Sequence, residues 1–304
     1  MDIRRQIAVV GVAVVGVAVV GAGCSSTGPS ASSAPARKLS IVAGENFWGS
    51  LASQLVGQVG SVTSVVSDPN ADPHSYETSS DDARAFATAD YVVVNGAGYD
   101  TWADKLLSGN PNGKRKVLTV ADLLGKKDGD NPHFWYQPDF VTRVVDRIEA
   151  DLKALDPSDS AYFDAQRRAV DAAFAPVRAR LEAIKAAYAG TPVAATESIF
   201  EYLGTYLGLR VISPSEFMRA VAEGNDPPAP SVAEFQDQIS KREARVLVYN
   251  LQTSTVVTTN LKQLAGQLHI PSVGVTETIQ PPTAPFEQWF DAELVHLQNA
   301  LAGR

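Results

Sequence analysis

The chain has 304 residues, room for about two domains at roughly 100–200 residues each. Its 45% hydrophobic and 20% charged content excludes a disordered tail, a collagen-like rod or a disulfide-stapled miniprotein. A formal charge of −8 leaves no basic footprint for tracking a phosphate backbone, which argues against nucleic acid as a partner, while a mild acidic excess suits the local collection of cations.

Residues 1–23 read as a secretory signal: a basic start with Arg4 and Arg5, an apolar run from Ile7 to Val20, then the small residues Gly21, Ala22 and Gly23. The run is too short for a comfortable membrane span of about 20 residues. With Cys24 directly after Ala22 and Gly23 the segment also resembles a bacterial lipobox, in which the cysteine becomes the lipid-modified first residue of the mature protein; Gly21 stands where leucine is usual. The alternative is a plain cleaved signal beside an unpaired cysteine. Cys24 is the single cysteine, so a lipidated chain has no disulfide despite an oxidising location. Residues 24–37 pair this cysteine with a flexible tether of Ser, Thr, Gly, Pro and Ala.

From residue 38 the chain alternates β-rich runs with helical patterns. Lys38–Ala43, Val62–Ser67, Asp90–Asn95 and Lys116–Val120 are predicted strands, with helices near Phe47–Val56, Ser80–Ala87, Thr101–Leu107 and Asp139–Leu155. This is an α/β order, and it predicts a mostly parallel sheet covered on both faces, in an N-terminal lobe over 38–156. Residues 157–190 form the connector. Val170, Phe174, Val177, Leu181, Ile184 and Tyr188 make one apolar stripe, predicting one long helix over Ser160–Tyr188, about 43 Å at 1.5 Å per residue, which Pro176 should bend. A second α/β lobe follows over 191–304. Its predicted strands are Pro192–Ala195, Arg210–Ile212, Arg245–Tyr249 and Ser272–Val275, and its helices lie near Ser198–Leu207, Val232–Glu243, Thr255–Leu268 and Phe286–Leu301.

Two of the four histidines share a context. His74 lies in Asp72-Pro73-His74 after the second strand, and His133 in Asn131-Pro132-His133 beyond the fourth. Each preceding proline holds the approach stiff and extended. Loops after strands of one parallel sheet can face one crevice, and two neutral imidazoles converging there are a transition-metal signal. Glu197 follows the fifth strand and Glu277 the last in the same manner, so four groups at four strand ends can close around one cation between the lobes. Glu201 competes with Glu197, and Asp72 and Glu77 compete near His74. His269 and His296 read as structural. There is no His-Glu-x-x-His, phosphate loop or Gly-x-Ser-x-Gly elbow.

From about Leu39 to Leu301 these residues resemble the cluster A-I, or cluster 9, metal-binding lipoproteins of bacterial ABC importers for zinc and manganese. The family's D-P-H-x-Y-E stands complete as Asp72-Pro73-His74-Ser75-Tyr76-Glu77. Its D-P-H-x-W-L-D-P is met by Asn131-Pro132-His133-Phe134-Trp135-Tyr136-Gln137-Pro138, with Asn131, Tyr136 and Gln137 departing from it. Thr196-Glu197-Ser198-Ile199-Phe200 resembles the glutamate form of the third ligand, and Thr276-Glu277-Thr278 has Glu where Asp is usual.

The resemblance implies a monomeric extracytoplasmic solute-binding lipoprotein, anchored through Cys24. It would hold one Zn2+ or Mn2+ as cargo with His74, His133, Glu197 and Glu277, and deliver it to a membrane permease with a cytoplasmic ATPase. It implies no enzyme activity. Zinc members often carry a long His-rich loop in the first lobe, and this chain has none. The competing expectations are a secreted metallohydrolase, which needs an open coordination position for water and a nearby base, and a surface adhesin, which rests only on names given to some family members.

Overall fold

The structure, a computed structural model, describes residues 38–304 apart from Asn70 and Asp72. The signal peptide, Cys24, the tether and Asp72 therefore lie outside the described residues. Four strands, β1 (Leu39–Glu45), β2 (Gly60–Val66), β3 (Tyr91–Val94) and β4 (Lys116–Thr119), pair in parallel in the order β2-β1-β3-β4. In the second lobe β5 (Pro192–Ala195), β6 (Arg210–Val211), β7 (Leu247–Asn250) and β8 (Ser272–Val275) repeat this order as β6-β5-β7-β8, again parallel.

Parallel strands need crossovers, and the intervening helices supply them: α1 (Asn46–Val56), α2 (Ser80–Thr88) and α3 (Thr101–Gly109) in the first lobe. The all-apolar Tyr91-Val92-Val93-Val94 run sits in the sheet interior because both of its faces are covered. Alternate residues prove the two-sidedness: Ile41, Ala43, Tyr91 and Val93 join one apolar cluster, while Val42, Val92 and Val94 join another with Phe86 and Trp102. Gly49 lets α1 lie directly on β2, since a Cβ there would come within 2.0 Å of the Ser64 hydroxyl.

After the short α4 (Val120–Leu124) and the long α5 (Pro138–Leu155), the connector is two helices where the apolar stripe predicts one. α6 (Ser160–Ala173) and α7 (Ala175–Tyr188) meet at Phe174. Pro176 is the cause: it cannot donate a backbone hydrogen bond to the preceding turn, and its ring crowds that turn's carbonyl. Each half then belongs to a different lobe. α6 packs on α1 and α5, and α7 on α12 (Phe286–Leu301), where Arg180 pairs with Asp291 at 2.7 Å.

The second lobe is completed by α8 (Glu201–Tyr206), α9 (Ser215–Ala222), α10 (Ala229–Ser240) and α11 (Val256–Gln267). α9 has no counterpart among the expected elements. Its eight residues carry only Phe217, Met218 and Val221 as buried apolar positions, too few for a period to show. The expected helix from Ser198 begins instead as a tight 3-10 turn, Ser198–Phe200, ahead of α8. One apolar cluster runs through both lobes, from Phe47 and Trp135 to Trp289 and Phe290, so the lobes share a core rather than hang on a linker.

Candidate metal centre

Both sheets have their switch point between the first and third strands of the lobe, and in such sheets ligands bind at the carboxyl ends of the strands. The segments leaving those ends carry polar residues. Beyond β2 a 3-10 turn, Pro73–Ser75, presents His74; beyond β4 and α4, His133 precedes another, Phe134–Tyr136; Glu197 and Glu277 follow β5 and β8 within two residues.

The structure brings these groups together. Ligand atoms of His74, His133 and Glu277 all lie within 4.8 Å of one another. Glu197 adjoins this set through His133, its Oε1 standing 3.5 Å from His133 Nε2, but does not approach all three that closely. Glu277 Oε2 is 3.7 Å from His74 Nε2. His133 and Glu277 are 0% exposed and Glu197 1%, whereas the His74 side chain keeps 25% of its surface open to the cleft. Glu201, Glu77, His269 and His296 are not part of the set. Glu201 instead accepts a hydrogen bond from Asn131 Nδ2 at 2.9 Å, and burial pushes its carboxyl up from the usual range.

Asn131 sets the chemistry of His133. Its Nδ2 donates to Ser198 O at 2.7 Å and to Glu201, which fixes the amide with Oδ1 as acceptor. That oxygen lies 2.7 Å from His133 Nδ1 and also accepts the His133 backbone N–H at 3.1 Å. Nδ1 must therefore carry the proton, and Nε2 is left with a lone pair on the side facing Glu197 Oε1, where it makes no hydrogen bond. Burial, and then the neighbouring His74, hold the His133 pKa well below that of a free imidazole, so the ring is neutral at pH 7. Asn131 thus supplies the orienting oxygen that the carboxylate would give in the resembled motif.

The other two departures from that motif are also accounted for. Gln137 caps α5, accepting the Asp139 N–H at 2.8 Å. Tyr136 is buried, and its hydroxyl donates to Thr276 O at 2.8 Å and lies 2.5 Å from Glu293 Oε2. The aromatic run beside His133 walls the site from water: Trp135 stacks on Phe47 with centroids 3.9 Å apart, and its ring centroid is 5.3 Å from that of His133.

Several residues that hold the carboxylates carry no motif in the sequence. Tyr99 donates its hydroxyl to Glu277 Oε2 at 2.8 Å and packs edge-on against His74. Asn250 donates Nδ2 to Glu197 Oε2 at 2.8 Å and to Glu277 Oε1 at 2.6 Å. Gln252 accepts the Glu277 N–H at 2.6 Å and donates to Ala71 O, in the loop that carries His74. Behind the site Glu45 is fully buried; burial and the adjacent Asp100 push its carboxyl well above the usual range. Asp100 accepts the N–H groups of Asn95 and Gly96 at 2.6 and 2.8 Å, closing a turn in which Gly96, Ala97 and Gly98 all have positive φ. A side chain at Gly96 would meet Thr119 at 2.7 Å. The sequence signals are a polar residue closing or following an apolar strand, as at Glu45, Asn95 and Asn250, and the Asn95-Gly96-Ala97-Gly98 run, which resembles a feature of the same family.

The cleft above the site has a volume of about 700 Å3, and Asp130, Glu201, Glu216 and Glu223 line it with Arg219 as the lone basic side chain among them. Such a mouth raises the local concentration of cations. No helix among the described residues is long and apolar enough to cross a membrane.

Comparison with known proteins points the same way. Manganese-binding lipoprotein MntA of Halalkalibacterium halodurans is 29% identical over 143 residues, 46% of this chain and 47% of that protein. Iron-binding protein YfeA of Yersinia pestis is 25% identical over 190 residues, 59% of this chain and 60% of that protein. The chain thus matches about half of the length of these curated relatives. Among solved structures, FpvC of Pseudomonas aeruginosa in complex with Mn2+ superposes with a TM-score of 0.73 at 19% identity, covering 87% of this chain and 98% of that one. The Cd-bound periplasmic metal binding protein of Candidatus Liberibacter asiaticus gives a TM-score of 0.71 at 17% identity, covering 87% and 100%. Both show the same two-lobed α/β fold. The family profile described as "Zinc-uptake complex component A periplasmic" matches residues 41–300, and with that match over nearly all of the described residues the chain belongs to the ZnuA family.

Proposed function

We propose that the protein captures one divalent transition-metal ion, zinc or manganese, outside the cytoplasm and passes it to a membrane permease powered by a cytoplasmic ATPase. The observation that carries this reading is the convergence of His74, His133 and Glu277 within 4.8 Å, with Glu197 beside His133, next to an acidic cleft that His74 lines. Imidazole nitrogen with carboxylate oxygen is a donor set that suits zinc and manganese alike. These four side chains are the proposed ligands. Carboxylate oxygens move the preference toward manganese relative to an all-histidine site, while the general affinity order still places zinc above it. Capture exchanges water on the ion for protein ligands and changes no covalent bond, so in this reading the residues hold and release rather than catalyse. Lipidation at Cys24 would keep the chain at the membrane, since more than one acyl chain gives stable attachment. Mass spectrometry of the membrane fraction tests that part, and a mature form beginning elsewhere overturns it.

The site itself is tested by competition titration of the full-length protein, stripped of metal. One ion per chain is expected, with His74→Ala and His133→Ala each abolishing tight binding. Unaltered stoichiometry and affinity in the double variant would falsify the assignment. Hydrolase activity of the metal-loaded protein would instead favour an enzyme.

A further inference from the structure

Asn250, the last residue of β7, touches both carboxylates at once although it is not a proposed ligand. It is buried, and its amide is held in one orientation: Oδ1 accepts the Gln252 backbone N–H at 2.9 Å, which directs Nδ2 toward the site. There Nδ2 meets Glu197 Oε2 at 2.8 Å, Glu277 Oε1 at 2.6 Å and Thr253 Oγ1 at 3.0 Å. The other carboxylate oxygens face imidazole, Glu197 Oε1 toward His133 and Glu277 Oε2 toward His74, and the latter also accepts the Tyr99 hydroxyl at 2.8 Å.

We propose that Asn250 is a positioning residue that sets the coordination number of the cargo ion, and through it the preference between zinc and manganese. This rests on the reading of the cleft as a metal site. By holding one oxygen of each glutamate on the side away from the imidazoles, the amide turns only the other oxygen of each carboxylate toward the ion. Two imidazole nitrogens and two such oxygens make four donors, the number zinc usually takes in proteins, whereas manganese favours a higher, oxygen-rich coordination. A neutral amide suits this place. A lysine or arginine would bring a positive charge that competes with the cation, and an apolar side chain would free both glutamates to bind through two oxygens. The backbone lock from Gln252 means that the clamp is present before the ion arrives.

The test compares the full-length protein with Asn250→Ala and Asn250→Ser, by competition titration with zinc and with manganese and by X-ray absorption of the loaded proteins. All three should bind one ion per chain. Asn250→Ala should lose zinc affinity by about tenfold or more, the usual cost of removing a group that orients a metal ligand, and lose less for manganese. The number of oxygen neighbours around the ion should rise. Equal losses for the two ions, or an unchanged zinc-to-manganese ratio and coordination number, would overturn the proposal by reducing Asn250 to a structural residue. If the alanine variant gives no cooperative melt, the serine variant, which keeps one donor, decides on the same readouts. A wild-type chain that binds neither ion overturns the reading of the cleft and not the role of Asn250.

Discussion

His133 owes its ligand-ready form to a single amide. Asn131 holds Nδ1 at 2.7 Å and is itself held by Ser198 and Glu201 of the opposite lobe, so it orients the ring and ties the lobes together beneath the cleft. Asn131→Ala should lower metal affinity by about tenfold to a hundredfold with one ion still bound per chain, measured by competition titration. Proton competition gives a second expectation. A protonated imidazole cannot bind metal, and burial holds the His133 pKa well below the free-imidazole value of about 6.5, so affinity should fall as pH drops below about 6.5 toward that depressed value. A dissociation constant flat over that range would remove the histidines from the site. The metal-free protein should weaken on the same side. Because the His133 pKa is lower in the folded chain than in the unfolded one, the unfolded chain takes up the proton first, and stability declines as pH falls below about 6.5 toward the depressed value.

At the scale of elements, one buried carboxyl joins three of them. Glu293 on α12 meets Tyr136 from the turn after His133, and accepts the backbone N–H and hydroxyl of Thr276, next to Glu277, at 2.9 and 3.1 Å. Burial raises its pKa to about 8, against the partial opposing effect of these hydrogen bonds. A neutral acid fits the geometry: one oxygen accepts from Thr276, and the other carries the proton to the Tyr136 hydroxyl, which donates onward to Thr276 O. A carboxyl raised in the folded state stabilises most below its unfolded pKa and loses that contribution as pH rises through about 8. Glu293→Gln, which keeps an acceptor and a donor without an ionisable proton, should therefore match the wild type near pH 5 and melt a few degrees higher at pH 9. Thermal unfolding across that range checks it, and an unchanged difference between the two pH values would place the titration elsewhere.

For the whole molecule, the shared core and the acidic cleft have separate consequences. Phe47, Trp135, Trp289 and Phe290 belong to one continuous cluster across the lobes, so a wide hinge opening would pull apart buried apolar surface at roughly 25 cal/mol per Å2. Loading is therefore expected to reorder the loops around His74 and Glu277 with only a slight shift of the lobes. The carboxylates at the cleft mouth act on arrival. Glu216→Gln together with Glu223→Gln should slow metal association, flatten its dependence on ionic strength, and leave dissociation nearly unchanged. Stopped-flow measurement of tryptophan fluorescence follows this directly, since Trp135 lies against His133. Equal slowing of both rates would place these glutamates in the binding site rather than at its entrance.

The α/β alternation, the eight strands to within a few residues, and the places of His74, His133, Glu197 and Glu277 after strands are legible in the chain alone. Those features are local: apolar runs of strand length, helical periods, and prolines that stiffen two histidine loops. Tertiary structure alone decided the rest. Pro176 interrupts the connector, and packing of each half on its own lobe made that interruption a break at Phe174 rather than a bend in one helix. Glu197 and Glu201 are set apart only by tertiary contacts: Asn131 engages Glu201, while Glu197 faces His133. Tyr99 and Glu293 were silent in the chain and Asn250 showed only as a polar strand end; they lie 178, 17 and 53 positions from the partners they hold in Glu277, Thr276 and Glu197. Which buried oxygen meets which donor is a contact between residues far apart along the chain, and periodicity and spacing report only on residues that are near.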